Sequence, residues 1–284
     1  MGLGGYLTWT AVAREVRKRI NNDAVKIIPL EQHGNFIKTV KSEIFFNNPD
    51  ILQEWEDQRF CFPLVLNNPA TNYCKKDTPE RAVHRYDKHI IQQICEFYGI
   101  DDPELKCVLN LTDEENLKVS SLLTSNGVGK DFVAIDIGVN TNYNKNKFDD
   151  FEKWQKIVDK LSDQIQVVQV GLPGFPILDK TVNLTGNTTF REAAGIVGSS
   201  KCLLSCEGGL IHAATAFDIK SVAVTTSFLS PTMVAYPGNH YIWLNDDNHG
   251  PCGMKIKCDK CHENMLQLKI EEVVSRTIRV VEEN

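Results

Sequence analysis

The chain has 284 residues, of which 42% are hydrophobic and 24% charged. That balance belongs to a folded globular chain and excludes a mainly disordered tract, a collagen or a coiled coil, while the length predicts two domains or one large α/β domain. Lys plus Arg total 31 against 37 Asp plus Glu, a net charge of −6 that gives no support to a nucleic-acid binder, and no apolar run reaches the roughly 20 residues of a membrane-spanning helix.

The first twenty residues place Arg14, Arg17, Lys18 and Arg19 after the apolar stretch, the reverse of a secretory signal. Tyr6 stands where a myristoylation motif needs Ser or Thr. The nine cysteines are odd in number and scattered, so they cannot all pair internally. The reading is a reduced, cytoplasmic protein in which Cys61, Cys74, Cys95, Cys107 and Cys202 are small buried apolar side chains.

In chain order, Gly2-Leu3-Gly4-Gly5 reads as a glycine-rich turn ahead of a helix, with Val12, Val16 and Ile20 on one face. Short strands are predicted at 25–30, 43–46 and 61–66, the last moved to an edge by Pro63. Pro79 opens a helix to about residue 98, with Val83, Ile90, Ile94 and Phe97 on one stripe and Gly99 as its stop. Thr112 and Glu115 form a capping box for a helix ending near Asn126-Gly127. Residues 124–130 are small and polar and read as a linker. Beyond them, apolar strands at 132–137, 165–170, 202–205 and 221–224 alternate with helices at 151–161, 190–197 and 210–217. Thr189 and Glu192 cap the second of these helices. Fully apolar strands between helices predict a parallel sheet covered on both faces. A last helix begins near Glu271, with Val273, Val274, Ile278 and Val281 on one side.

Three groups could carry chemistry. The run from Leu203 to Ala214 reads strand, tight turn, helix. Gly208 and Gly209 admit close backbone approach, and the free N–H groups of the following helix suit a diphosphate. Glu207 could accept hydrogen bonds from sugar hydroxyls, and His212 could point at the same ligand. The rival reading is a plain turn in which Glu207 caps its own helix. Lys145 and Lys147 follow strand 132–137, where a lysine can neutralise a phosphate or simply face water. Cys252, Cys258 and Cys261 include a chelating Cys-x2-Cys spacing, with His249 or His262 as a fourth donor, or are spare loop thiols. The Lys75, Lys76, Arg81, His84, Arg85 and Lys88 patch reads as a solvated helix face.

These motifs, in this order, resemble the heptosyltransferase-like glycosyltransferases of family 9. The likeness is carried by strand 132–137 with Gly138, Lys145/Lys147-Phe148, Gly171, Asn183-Leu184-Thr185-Gly186 and the stretch from Ser205 to Ala216. Ser230-Pro231, Tyr236-Pro237 and the 252–261 cysteine loop extend it, and it is looser before residue 130. The resemblance implies an α/β protein of the GT-B kind, with two Rossmann-like domains facing a cleft. Residues 1–125 would be the acceptor side, without the usual first strand. Residues 126–284 would hold the nucleotide sugar, with the final helix crossing back to the first domain. The implied activity moves a sugar, with inversion, from a nucleotide diphosphate to a glycan, lipid or protein acceptor. A silent nucleotide-sugar-binding module or an epimerase of the same fold are the alternatives. The implied donor site is Gly4, Gly5, Gly138, Lys145, Lys147, Gly171, Glu207, Gly208, Gly209, Leu210 and His212. No metal is required for transfer, and Cys252, Cys258, Cys261 and His262 would hold a structural zinc or iron. Peripheral membrane contact stays open. The chain departs from the family pattern with Gly5 where an aspartate base is usual and Glu207 where Asp is usual. Glu31 or His33, after the 25–30 strand, are the substitutes expected for the base.

Overall fold

The computed structural model describes residues 2–33, 36–57, 59–139, 142–246 and 249–284. Helix α1 (Leu3–Ile20) begins inside the glycine cluster, with Gly2 as its N-cap, so Gly4 and Gly5 are first-turn helical residues rather than a turn. Glycine is a poor helix former, and close packing explains its use here. A Cβ on Gly4 would lie 3.2 Å from the Cα of Gly209. Asn21, left-handed at φ 53, ends the helix.

Strands β1 (Lys26–His33), β2 (Phe36–Thr39) and β3 (Cys61–Val65) form a sheet in the order β2-β1-β3. β1 runs antiparallel to β2 and parallel to β3. Pro63 lies on an edge strand, as a residue without an N–H should. The strand expected at 43–46 is instead a short 3-10 turn, Glu43–Phe45, started by Ser42 accepting the Ile44 N–H.

The long helix expected from Pro79 is mostly absent. A hairpin of β4 (Cys74–Asp77) and β5 (Ala82–His84) occupies its first part, and only α2 (Ile90–Phe97) is helical. A distant segment decides this. The Ala82 N–H donates to the Gly253 carbonyl at 2.9 Å, and Arg81 bridges Met254. His89 then starts α2 with a capping box that includes Gln92. Helix α3 (Asp113–Ser125) carries the expected Thr112–Glu115 box.

The second half follows the predicted alternation. Strands β6 (Phe132–Asp136), β7 (Gln166–Gln169), β8 (Val182–Asn183), β9 (Cys202–Cys206), β10 (Ser221–Thr226) and β11 (His240–Leu244) make one sheet, ordered β11-β10-β9-β6-β7-β8. Every neighbouring pair is parallel. Helices α4 (Phe151–Leu161), α5 (Phe190–Gly198), α6 (Gly209–Ala216), α7 (Pro231–Val234), α8 (Asp259–Met265) and α9 (Ile270–Glu282) complete it. Side chains alternate across β6. Phe132 and Ala134 enter a core shared with α1, α2, α5 and α6, and Val133 and Ile135 one shared with α4, α8 and α9. The first core therefore runs without a break from α1 into the large sheet.

Helix α9 does not cross back to the first half. Its buried stripe of Val273, Val274, Thr277 and Val280 lies against α4, β9 and β10, and Lys160 pairs with Glu271. Arg191 of α5 fastens the halves instead. Its buried guanidinium donates to both Glu115 carboxylate oxygens at 2.6 and 2.8 Å and to the carbonyls of Glu43, Phe46 and Asn110.

Candidate functional site

The strand order turns back between β6 and β9, and in open parallel sheets the crevice at the carboxyl ends of such strands is where ligands bind. β6 ends there on Asp136, in register with Ser205. Asp136 Oδ1 accepts the Gly138 N–H at 2.9 Å. Cβ atoms placed on Gly138 and Gly171 would lie 3.0 and 3.5 Å from the same oxygen. Both expected glycines thus line a carboxyl group that the sequence did not single out. An acid closing an otherwise apolar strand just before a glycine was the available signal.

Burial pushes the Asp136 carboxyl up to about 6, against the opposing pull of the Gly138 N–H and the Lys147 charge. Between the ordinary 3.8 and about 6, the folded chain holds a proton that the unfolded chain has lost. The stability tied to that proton is full below the ordinary value and is lost as pH rises through about 6. Asp136→Asn is therefore expected to raise unfolding stability by about 1–3 kcal/mol at about pH 7.5, and by much less at about pH 4. Denaturant titrations at the two pH values check this; an equal gain at both would show that the carboxyl does not titrate in this way.

The two candidate lysines separate. Lys147 is half-buried and its Nζ donates to the Glu207 carbonyl at 3.2 Å, bringing a positive charge to the β9–α6 turn. Lys145 is exposed. Its backbone N–H donates to the Lys255 carbonyl at 2.9 Å, and its own carbonyl lies 3.3 Å from His262 Nε2. Lys145 therefore belongs to the framework and its ammonium to solvent.

Gly208 is the N-cap of α6 and no side chain caps this helix end, so Glu207 does not serve as a cap. Among the described residues the Glu207 carboxylate makes no hydrogen bond or ion pair, while its N–H donates to Val224 at 3.2 Å. Gly209 and Gly4 have a different task from the one expected. A Cβ on Gly209 would meet the Phe190 ring at 3.0 Å and the Gly4 nitrogen at 3.5 Å. These glycines let two helix N-termini approach each other, α1 and α6, both without side-chain caps. Each end carries unsatisfied N–H groups and a partial positive charge. Leu210 is buried in the first core rather than lining the crevice.

His212 is also drawn inward. Its Nδ1 shares a 2.6 Å hydrogen bond with the Tyr236 hydroxyl, which lies 3.3 Å from Cys107 Sγ. Burial, and then the Lys147 charge, hold the imidazole down at about 4, so it is neutral at physiological pH. Glu31 and His33 lie together, 3.4 Å apart, at the end of β1. Tyr6 donates to Glu31 at 3.4 Å. Tyr6 stands about 200° round α1 from Gly4, so this pair is on the other side of that helix from its contact with α6.

The third group does assemble. His249, Cys252, Cys258 and Cys261 place their donor atoms within 4.8 Å of one another. His249 Nε2 is 3.3 Å from Cys258 Sγ and 3.4 Å from Cys261 Sγ, and Cys252 and Cys261 sulfurs are 3.2 Å apart. A tetrahedral ion with metal–sulfur bonds of about 2.3 Å needs donors about 3.5–3.8 Å apart, so small adjustments admit one. Cys258, the N-cap of α8, and Cys261 in its first turn bring their sulfurs to the same side, whereas the next helical residue, His262, points elsewhere. That is why His262, expected as a ligand, is replaced by His249 and turns to the Lys145 carbonyl. Thiolates with one imidazole suit zinc or iron.

No protein-family model and no curated protein matches the chain. Solved structures do. A family 9 glycosyltransferase from Veillonella parvula is similar over 70% of this chain, with TM-score 0.58 and 15% identity. The iron-containing dodecameric glycosyltransferase TibC of enterotoxigenic E. coli is similar over the whole chain, with TM-score 0.63 and 14% identity. The fold is that of the family 9 glycosyltransferases. The E. coli heptosyltransferase WaaC, solved with ADP, shares it at TM-score 0.51 and 12% identity, also over the whole chain. The present chain spans 61% of the Veillonella protein, 74% of TibC and 97% of WaaC. No helix among the described residues is long and apolar enough to cross a membrane.

Proposed function

We propose that the chain is a glycosyltransferase that binds a nucleoside diphosphate sugar in the crevice between β6 and β9. One observation carries the reading. Lys147 Nζ, held on the Glu207 carbonyl, stands at the uncapped N-terminus of α6, beside a glycine-lined carboxyl group at the point where the strand order reverses. A cation and free backbone N–H groups together neutralise a diphosphate leaving group without a metal ion in that step. The unpartnered Glu207 carboxylate supplies an acceptor for sugar hydroxyls. Residues 1–125 and 126–284 are the acceptor and donor sides of this reading, which places the reaction in the reducing cytoplasm; all nine cysteines are unpaired.

Transfer with inversion needs a base for the acceptor hydroxyl of a glycan, lipid or protein. Gly5 cannot supply one, and Glu31, paired with His33, is the candidate. The lack of a side chain on Gly5 favours a second reading, a module that binds the donor and does not turn it over. The His249–Cys261 cluster holds zinc or iron as a staple in either case.

The test is calorimetric titration with ADP- and UDP-linked sugars, followed by mass spectrometry of the reaction with candidate acceptors. Binding with glycosylated product supports the transferase. Binding without turnover supports the module, and no binding of any nucleoside diphosphate sugar removes both.

A further inference from the structure

One buried amide joins the cysteine cluster to the crevice. Asn146 is fully buried and immediately precedes Lys147. Its Nδ2 donates to the carbonyls of Met254 and Ile256 at 2.6 and 2.8 Å, and its Oδ1 accepts the Cys258 N–H at 2.7 Å. All three bonds go to the segment between two of the cluster's cysteines. The Asn146 backbone is held as well: its N–H donates to Asn144 Oδ1 at 2.8 Å, and its carbonyl accepts the Thr226 hydroxyl at 2.6 Å. On the far side of Lys147, the Phe148 carbonyl accepts the Cys206 thiol at 3.1 Å. Lys147 thus rides on backbone tied to the ends of β9 and β10 and to the cysteine loop.

We propose that Asn146 is a positioning residue that couples metal loading of the His249–Cys261 cluster to diphosphate binding by Lys147, an inference that rests on the donor-site reading above. An ion fixes Cys252 and Cys258, the two ends of the segment, together with Cys261 and His249. The carbonyls of Met254 and Ile256 and the Cys258 N–H then form a rigid three-point socket that only a planar amide with a donor and an acceptor fills. Without the ion the ends are released, the socket loosens, and the Lys147 ammonium is less well placed before the ligand arrives. Groups held in place beforehand bind more tightly, since less ordering remains to be done.

The experiment titrates inorganic pyrophosphate into the full chain by calorimetry, metal-loaded and after removal of metal with a chelator. Removal is expected to weaken pyrophosphate binding about tenfold, the scale typical of losing support around a metal. Asn146→Ala should show the same loss while retaining its metal by elemental analysis, and stripping that variant should change its affinity no further. An unchanged affinity in Asn146→Ala, or losses that multiply, overturns the coupling. If circular dichroism shows Asn146→Ala unfolded, the cycle is run with Lys147→Gln, where stripping is expected to leave the residual affinity unchanged and a further tenfold loss overturns the coupling. A loaded native chain that does not bind pyrophosphate overturns the donor-site reading and the coupling together, whereas the other adverse outcomes sink the coupling alone.

Discussion

Lys147→Gln is expected to weaken nucleoside diphosphate binding about 10- to 100-fold, the loss of a charge-assisted contact worth about 1.5–3 kcal/mol. Glutamine keeps most of the stem and an N–H donor on the side of the Glu207 carbonyl, now held by Lys147 at 3.2 Å, while the charge is removed. Lys145→Gln is the matched control: it removes the same charge two positions away, from an exposed side chain. Calorimetry with ADP and UDP on both variants gives the comparison. Screening reaches about 8 Å at physiological ionic strength and acts least on half-buried groups, so the Lys147 effect should persist at raised salt. Equal losses for the two lysines would mean that bulk charge, rather than a built contact, holds the ligand.

The largest stability effect is expected from Gly253→Ala. Gly253 has φ 64, the left-handed region, and a Cβ there would fall inside the envelope of the Ala82 carbonyl oxygen. That oxygen is backbone and cannot rotate away. The Gly253 carbonyl also accepts the Ala82 N–H, and its own N–H donates to Phe228 at 3.0 Å. Strain plus overpacking together give about 2–5 kcal/mol of destabilisation. Chemical denaturation of the two proteins measures it. A loss below about 0.5 kcal/mol, the range of neutral surface changes, would show that the cysteine loop does not dock on the β4–β5 hairpin.

The second half was readable because its signals are local. Strands such as Phe132–Asp136 are buried on both faces and appear as apolar runs, and helices such as Phe190–Gly198 announce themselves with capping boxes. The 79–98 region was misread because its conformation is set by residues some 170 positions later, at Arg81–Met254 and Ala82–Gly253. A spaced apolar pattern does not show that pairing. Cys-x2-Cys made Cys258 and Cys261 legible, with Cys252 nearby, but the sequence left the fourth donor open between His249 and His262, and only the packed loop brings His249 to the sulfurs. The glycines of both candidate turns were read as places where a ligand approaches the backbone. What approaches Gly4 and Gly209 is another helix, a fact only the packed structure holds.

Arg191 has a consequence for motion. Its guanidinium spends its donors on Glu115 and on the carbonyls of Glu43, Phe46 and Asn110, all from the first half, while its own helix covers the sheet of the second. Swinging the halves apart would break all of these bonds at once and exchange them for bonds to water. Any movement of one half against the other therefore has to release Arg191 first.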